Sequence, residues 1–338
     1  MIKVKSIQKE FPLEKNFMGR TLKRVYALNN ISIEFPSHKI TGIVGESGCG
    51  KSTLARVLCG IHQPDNGSFS WNQLNSEQMK SASWKEYRRN VQMVFQDPYS
   101  SLNPRMRIRD IILEPLKIHD LDISEQSGKK NSFRKTKNPD MEEKIKNTLA
   151  SVGLSADALD KFPHEFSGGQ RQRIAIARAL ILQPEVIIFD EAVSALDVSI
   201  QAQILNLILD LQKEFNMTCL FIAHDLSVVS YVSEYIAVMY GGRVVEFNTT
   251  ENIFFSPRHP YTKLLLASIP RANMKKITVA AASEAVINVN TEGCPFYYRC
   301  PSGSGICEKT YPERTSTQEG FFYECFHPEN AEDSKIKK

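Results

Sequence analysis

Residues 45–52 constrain this chain more than any other segment, because they read G-x-x-x-x-G-K-S. They follow the apolar run 40–44 and lead into 53–60, so the pattern indicates a strand, a tight loop and a helix. In that context the backbone N–H groups of a glycine-rich loop converge at a helix N-terminus and favour an anion. We therefore expect a phosphate-binding loop made of Gly45, Glu46, Ser47, Gly48, Cys49, Gly50, Lys51 and Ser52, with Thr53 following it.

Particular side chains of this segment have predictable roles. Lys51 is expected to reach the β- and γ-phosphates of a nucleotide, and the Ser52 hydroxyl to ligate Mg²⁺. Tyr26 could stack on an adenine ring, although Phe11 could serve equally and either aromatic could simply pack. A bare match to the pattern is also compatible with a glycine-rich turn before an ordinary helix, so the remaining motifs decide between the two.

Composition excludes several classes of protein. The 338 residues allow one large domain with a smaller piece, or two domains. An apolar content of 42% and a charged content of 24% are ordinary for a globular protein. The 42 Lys and Arg residues against 38 Asp and Glu give a net charge of only +4, which is too small to indicate nucleic acid as a partner.

Hydropathy bears on localisation. No apolar run approaches the roughly 18 residues that span a bilayer, and residues 1–5 lack the apolar core of a signal peptide. We expect a cytoplasmic protein, whose membrane spans, if it works at a membrane, come from other subunits.

Periodicity predicts a mixed chain. Alternation at Ile2 and Val4, and again over 31–35, indicates strands, and the basic stretch 9–24 between them is interpreted as a surface loop. Residues 107–158 change to a helical period, which indicates a helical insertion. Within it, the basic stretch 124–140 favours a solvated loop, with contact to lipid head groups or a partner as the alternative.

A second candidate anion site lies at Ser167, Gly168, Gly169 and Gln170, within the segment 167–173 that immediately precedes a predicted helix over 174–180. A serine and two glycines at a helix start offer a hydroxyl and free backbone N–H groups. A chain that binds one nucleotide does not obviously need two such sites.

Carboxylate, amide and imidazole groups follow predicted strands. Asp190 and Glu191 end the apolar run 186–189, and the ends of such strands are where open α/β sheets bind ligands. Asp190 is expected in the Mg²⁺ shell and Glu191 as the general base for the attacking water. Gln96 could reach a metal-bound water from its strand end, although it could equally cap a turn, and His224 suits a γ-phosphate sensor.

In this order the motifs resemble those of the ATP-binding cassette (ABC) ATPases. The matching elements are the phosphate loop, Gln96, the signature 166–170 (F-S-G-G-Q, close to the usual L-S-G-G-Q), Asp190 with Glu191, the turn 194–197 that ends in Asp197, and His224. The resemblance implies an α/β fold: a P-loop NTPase with a RecA-like mixed sheet core, an antiparallel β subdomain and an inserted helical subdomain that carries the signature. It covers roughly residues 1–250.

The resemblance also implies partners. Two nucleotide-binding domains of this family dimerise head to tail, so Ser167 and its neighbours would serve the ATP held by a second ATPase subunit. Closure on ATP would drive a pair of transmembrane subunits between two states.

Three segments narrow the likeness to the oligopeptide and dipeptide importer branch: 96–104, 195–199 and 258–262. This implies a cassette domain over 1–255, with the helical subdomain at about 97–180, and a C-terminal extension over 256–338. It further implies a heterodimer of ATPases, two permease subunits and an external solute-binding protein, at the cytoplasmic face of the membrane. Ala192 and Val193 depart from the usual Pro-Thr, but no catalytic group is lost.

Two other functions remain open. The cargo could be nickel or another small solute, because the ATPase does not touch it. A soluble ABC ATPase of DNA repair or translation is the rival from another class, but such proteins commonly carry tandem cassettes or coiled-coil insertions, and this chain has one phosphate loop and neither device.

Four cysteines close the chain with the spacing C-x₅-C-x₆-C-x₁₇-C: Cys294, Cys300, Cys307 and Cys325. A reducing compartment disfavours disulfides. Structural zinc sites usually use tighter C-x₂₋₄-C pairs, and wide spacing with adjacent prolines suits an iron–sulfur cluster. Peptide importer ATPases carry a similar segment, for which a [4Fe-4S] cluster is the implied occupant; zinc, or no metal, remains the alternative.

Overall fold

The computed structural model describes residues 1–15, 21–119, 139–269, 292–317 and 320–329. The strands of the described residues are β1 (Ile2–Lys15), β2 (Thr21–Phe35), β3 (Ile40–Val44), β4 (Asn66–Trp71), β5 (Leu74–Asn75), β6 (Val91–Val94), β7 (Val186–Asp190), β8 (Thr218–Ile222), β9 (Tyr235–Tyr240), β10 (Arg243–Thr249), β11 (Thr315–Ser316) and β12 (Phe322–Tyr323). The helices are α1 (Lys51–Leu58), α2 (Ser81–Asn90), α3 (Pro98–Ser101), α4 (Ile108–Ile118), α5 (Pro139–Ser151), α6 (Gly168–Leu180), α7 (Val198–Phe215), α8 (Leu226–Val232), α9 (Thr250–Phe255), α10 (Pro260–Ala267) and α11 (Gly305–Lys309).

The chain divides into two compact units, the first formed by Met1–Gln78 with Leu220–Lys338 and the second by Met79–Cys219. The first unit contains an antiparallel sheet with the strand order β2-β1-β4-β5. Its buried face holds Ile2, Val4 and Ile33, as the alternation predicts. The two predicted strands at the start of the chain are thus confirmed.

The interpretation of residues 9–24 as a loop is wrong over the described part. Strand β1 continues to Lys15 and β2 begins at Thr21, and the two pair from Lys9↔Leu28 to Lys15↔Thr21. Repeated register shifts along this ribbon break the period of two, which hides the strands from the sequence pattern. Carboxylates offset its basic charge, with Arg24 bonded to Glu10 at 3.0 Å and Lys9 to Asp65 at 2.9 Å.

The first unit also contains a mixed sheet, in which the strands follow the order β11-β12-β10-β9-β3. Strands β3 and β9 are parallel, and β9, β10 and β12 are antiparallel to one another in turn. Every residue of β3 is buried, which matches its uninterrupted apolar sequence. The short strands β11 and β12 come from the C-terminal segment, so that segment extends the sheet.

The second unit combines the parallel pair β6–β7 with helices. The predicted helical stretch is confirmed as α4 and α5, and α4 buries Ile108, Ile111, Ile112 and Leu116 on one face. The predicted loop at 124–140 lies outside the described residues, apart from its last two residues, which begin α5. None of the helices in the described ranges combines the length and apolar content that crossing a bilayer requires.

Candidate functional site

The phosphate loop, residues 45–52, lies in the first unit between β3 and α1, as the motif predicts. Gly50 occupies the N-cap position of α1 with φ +107°. A Cβ at Gly50 would lie 2.2 Å from the Ala27 carbonyl oxygen, so only glycine fits there. The loop thus exposes its backbone at the N-terminus of α1, where N–H groups lack intrahelical partners.

Lys51 is folded back onto the loop. Its Nζ atom donates hydrogen bonds to the carbonyl oxygens of Gly45 (2.8 Å) and Glu46 (2.9 Å). The side chain is 4% exposed. Cys49 is buried beside it, and burial raises the pKa of the Cys49 thiol. Lys51 therefore places a cation inside the curve of the loop.

The candidate adenine-stacking residue Tyr26 lies on β2, opposite Glu10 in the β1–β2 ribbon. A hydrogen bond with Glu10 raises the pKa of the Tyr26 hydroxyl. The alternative residue Phe11 makes an edge-on contact with His62, with ring centroids 5.6 Å apart. Phe11 thus contacts another ring and Tyr26 is bonded to Glu10, so each of the two candidate aromatics already has a partner within the first unit.

The second unit joins two of the predicted residues. Gln96 follows β6, Glu191 follows β7, and the Gln96 Nε2 atom donates to the Glu191 Oε2 atom at 2.8 Å. Parallel strands β6 and β7 end at the same edge, which brings the two side chains together. Asp190 is the last residue of β7 and is 4% exposed.

The backbone of Glu191 is in the left-handed region, with φ +49°. Its carbonyl oxygen accepts bonds from the N–H (3.1 Å) and the hydroxyl (2.9 Å) of Ser194, which hold the turn. Such a conformation is uncommon for a residue with a side chain and concentrates at functional sites. The turn directs the chain from β7 towards Asp197 and α7.

The signature segment, Ser167–Gln170, forms a reciprocal cap on α6. The Gln170 N–H donates to the Ser167 Oγ atom at 3.4 Å, and the Ser167 N–H donates to the Gln170 Oε1 atom at 3.0 Å. A Cβ at Gly169 would lie 2.4 Å from the Ile200 side chain, so this glycine allows α6 to approach α7 closely. The predicted helix is confirmed, but α6 begins at Gly168 rather than at Ile174, so the signature glycines form its first turn.

Asp197 caps α7. Its Oδ1 atom accepts from the Ile200 N–H at 3.0 Å and from the Ser199 hydroxyl at 2.8 Å. These bonds to the carboxylate lower the pKa of Asp197. His224, in the first unit, is exposed and follows β8, immediately before Asp225, whose Oδ1 atom accepts from the Ser227 N–H at 2.8 Å at the start of α8.

The four C-terminal cysteines line one pocket of the first unit, here called the cysteine pocket. Its walls also include His259, Phe296, Tyr297, Pro312, Phe326 and His327. The Cys294 N–H donates to the Cys307 carbonyl at 2.7 Å, which joins two of the cysteine-bearing turns. Burial raises the pKa of Cys294 to about 11 and that of Cys325 to about 12. No group of three or more His, Cys, Asp or Glu residues within the described ranges, these cysteines included, is placed to hold a metal ion.

Buried Glu246 organises the segment that precedes this pocket. This carboxylate on β10 is 0% exposed and accepts hydrogen bonds from the N–H groups of Arg258 (2.8 Å) and His259 (2.9 Å) and from the Thr262 hydroxyl (2.5 Å). Burial raises the pKa of Glu246. The sequence motif at 258–262 is therefore the N-terminus of α10, fixed on a buried carboxylate.

Two residues that contact the phosphate loop escaped the sequence reasoning. The Glu46 N–H donates to the Tyr261 hydroxyl at 2.9 Å, and Arg299 pairs with the Glu46 carboxylate at 2.7 Å. Tyr261 lies in the segment 258–262, whose sequence indicates the importer branch but gives no sign of a contact with the phosphate loop. Nothing in the sequence around Arg299 signals a contact with a loop more than two hundred residues earlier.

Comparison with known proteins agrees with this geometry. Residues 28–194 match the family described as ABC transporter, and residues 245–307 match the family described as oligopeptide/dipeptide transporter, C-terminal region. A solved structure described as the dimeric structure of a post-hydrolysis state of the ATP-binding cassette MJ0796 bound to ADP and Pi aligns with a TM-score of 0.61 at 24% identity. That alignment covers 74% of this chain and 99% of the other, which confirms the P-loop NTPase fold.

Two curated relatives extend over nearly the whole chain. The oligopeptide transport ATP-binding protein AppF of Bacillus subtilis is 40% identical and is covered over 96% of both chains. The dipeptide transport ATP-binding protein DppF of Haemophilus influenzae is 41% identical, over 95% of this chain and 94% of its own.

The fold and these matches define an ABC ATPase. Within that class the chain belongs to the family of oligopeptide and dipeptide transport ATP-binding proteins.

Proposed function

We propose that this ATPase powers the import of dipeptides or oligopeptides across the cytoplasmic membrane. The observation that carries the proposal is the match, over 96% of both chains, to a relative named for oligopeptide transport. The match of residues 245–307 to a C-terminal region described for oligopeptide and dipeptide transporters supports the same cargo, because it lies outside the shared ATPase motifs.

On the phosphate side, the loop residues 45–52 and Thr53 bind the phosphates of ATP through backbone N–H groups. Lys51 exchanges its bonds to the loop carbonyls for bonds to the β- and γ-phosphates, and the Ser52 hydroxyl ligates Mg²⁺. Tyr26 stacks on the adenine. The folded-back Lys51 supports this role, since its cation already lies within the curve that would receive the phosphates.

For hydrolysis, Glu191 accepts a proton from the attacking water. The oxygen of that water bonds to the γ-phosphorus, and the bond between the γ-phosphorus and the bridging oxygen breaks, so that ADP leaves. Asp190 and Gln96 would bind Mg²⁺, and His224 would contact the γ-phosphate. The 2.8 Å bond between Gln96 and Glu191 supports this assignment, because it orients the proposed base from a neighbouring strand end.

A second ATPase subunit completes the proposed site. Ser167, Gly168, Gly169 and Gln170, with Asp197, act on the ATP held by that partner, and we propose a heterodimer. The capping geometry leaves the first N–H groups of α6 at an anion-favouring helix start. Two transmembrane permease subunits and an extracytoplasmic solute-binding protein complete the assembly, with this chain at the cytoplasmic face and without a nucleic-acid partner.

The proposed domain boundaries place the cassette at 1–255, its helical subdomain at about 97–180 and the extension at 256–338. In the extension we propose a [4Fe-4S] cluster held by Cys294, Cys300, Cys307 and Cys325. The donor set supports it, because four thiols line one pocket with aromatic walls. When bound, such a cluster supplies structural cross-links and one-electron redox capacity.

Substitution of Glu191 by Gln in the purified transporter complex tests the hydrolytic assignment. We expect ATP turnover to fall by roughly 10²- to 10⁴-fold, the usual contribution of a general base, with ATP binding retained. Glu214→Gln, an exposed position on α7, is the matched control. Turnover at the parent rate in the Glu191 variant would assign the base elsewhere.

The cargo is tested in proteoliposomes that contain the complex and its solute-binding protein. Peptide uptake driven by ATP supports the proposal. Uptake of nickel or another small solute, with no response to peptides, would replace it while leaving the ATPase assignment intact.

A further inference from the structure

Glu46, in the phosphate loop, is hydrogen-bonded to two side chains from the C-terminal region of the chain, Arg299 and Tyr261. The Arg299 Nη1 atom donates to the Glu46 Oε2 atom at 2.7 Å, and the Nη2 atom donates to the Oε1 atom at 2.8 Å. This two-pronged, charge-assisted geometry fixes the carboxylate in direction as well as in position.

The second contact is with the main chain of Glu46. Its N–H donates to the Tyr261 hydroxyl at 2.9 Å. Tyr261 is 0% exposed, and its ring centroid lies 4.6 Å from that of Tyr240 and 5.4 Å from that of Phe296. Because the ring is packed on both neighbours, the hydroxyl offers the loop a fixed anchor point.

Tyr261 and Arg299 are themselves positioned by other residues of the C-terminal region. Tyr261 is the second residue of α10, whose N-terminus is bonded to the buried carboxylate of Glu246 through the Thr262 hydroxyl. Arg299 ends a short 3₁₀ turn, Tyr297–Arg299, that leads directly into Cys300 of the cysteine pocket. The position of Glu46 therefore depends on how this region is folded.

Glu46 in turn touches the proposed phosphate-binding cation. The Lys51 Nζ atom donates to the Glu46 carbonyl oxygen at 2.9 Å. Glu46 is thus bonded to Arg299 through its side chain, to Tyr261 through its N–H and to Lys51 through its carbonyl oxygen. Displacement of Glu46 would move the groups that receive Lys51.

We propose that Arg299 and Tyr261 are positioning residues for the phosphate loop, and that through Glu46 the C-terminal region sets the affinity of this chain for ATP. The proposal rests on the proposed role of the loop in nucleotide binding. It makes the cysteine-bearing segment part of the nucleotide site rather than an appendage to it.

The first test compares two arginine-to-lysine variants of the full-length chain by equilibrium binding of a fluorescent ATP analogue. Arg299→Lys loses the two-pronged pairing with the loop. Arg314→Lys is the matched control, since the Arg314 guanidinium bonds Glu324 (3.0 Å) and the Ser32 carbonyl (2.7 Å) rather than the phosphate loop.

We expect Arg299→Lys to weaken ATP binding roughly 5-fold or more, the lower range of coupling between sites, and Arg314→Lys to leave it unchanged. In steady-state hydrolysis, the Arg299 loss should fall on KM more than on kcat. Parent-like ATP binding by Arg299→Lys, or equal losses in both variants, would overturn the proposal. If the Lys51→Ala variant still binds ATP, that result would instead overturn the proposed role of the phosphate loop in nucleotide binding.

A double-mutant cycle tests the route through Glu46. If Arg299 acts through that carboxylate, Glu46→Gln combined with Arg299→Lys should bind ATP about as well as Glu46→Gln alone, and fully additive losses would overturn this route. Tyr261→Phe should also weaken binding, whereas Tyr311→Phe, which removes the hydroxyl bonded to Glu324 at 2.6 Å, should not. Equal melting temperatures across the set exclude a general loss of folding.

Discussion

The phosphate loop of the first unit and the signature segment of the second both place glycines at the start of a helix, yet different contacts hold them. The signature is held by its own neighbours, since Ser167 and Gln170 bond each other across one turn. The phosphate loop has local bonds from Lys51, but it is also bonded to Tyr261 and Arg299, which lie 215 and 253 residues from Glu46 along the chain.

This difference has an energetic consequence. A reciprocal cap stabilises one helix end by about 1 kcal/mol, and its loss affects that end alone. A loop held by distant residues is only as stable as the fold that presents them. The phosphate loop is therefore sensitive to substitutions in the C-terminal region, and the signature segment is sensitive chiefly to substitutions within itself.

Substitution of Glu246 by Ala is expected to produce the largest effect. It leaves the N–H groups of Arg258 and His259 and the Thr262 hydroxyl without their acceptor in a buried site. We expect a loss of about 3–5 kcal/mol in the free energy of unfolding, together with weaker ATP binding, because the N-terminus of α10 loosens. Urea unfolding of the full-length chain measures the loss of stability, and equilibrium binding of a fluorescent ATP analogue measures the loss of affinity.

Glu251→Ala, at an exposed position on α9, is the control and should change stability little. If Glu246→Ala destabilised the chain but left ATP affinity at the parent level, the dependence of the loop on distant support would be refuted.

A pair of glycine substitutions gives a smaller contrast between the same two regions. Gly50→Ala adds a Cβ at φ +107°, 2.2 Å from the Ala27 oxygen, and should cost about 2–3 kcal/mol of folding free energy. Gly168→Ala adds a Cβ whose nearest neighbours are 3.5 Å away, so folding should tolerate it. Thermal unfolding of the two variants compares them, and equal shifts would show that the loop backbone is not constrained as described.

Sequence reasoning predicted best where a motif and its contacts lie within a few residues. The strand before residues 45–52, the cap at Ser167 and the carboxylates after β7 each follow from local spacing. These parts of the fold and site needed no knowledge of distant residues. The bond between Gln96 and Glu191 does not follow from local spacing, because it depends on β6 and β7 being parallel neighbours.

The failures have two physical causes. Register shifts in the β1–β2 ribbon destroy the period on which strand prediction depends, so residues 9–15 and 21–24 were interpreted as a loop. Contacts between distant residues leave no local pattern at all: nothing near Glu246 predicts that it binds the start of α10, and nothing near Arg299 predicts Glu46. The contacts between the phosphate loop and the C-terminal region therefore could not be predicted from the sequence.

The smallest expected effect separates capping from catalysis in the signature segment. Ser167→Ala removes the oxygen that accepts from the Gln170 N–H at 3.4 Å, a long bond, so the loss of stability should be at most about 1 kcal/mol. Ser167→Asp keeps a capping oxygen and should restore stability. It also adds negative charge where a partner's ATP is proposed to bind, so ATP hydrolysis by the assembled complex should remain below that of the parent. Chemical unfolding and ATP turnover measured on both variants distinguish the two roles. Recovery of turnover together with stability in Ser167→Asp would mean that Ser167 serves only as a helix cap, and the contrast with the phosphate loop would then be one of structure alone.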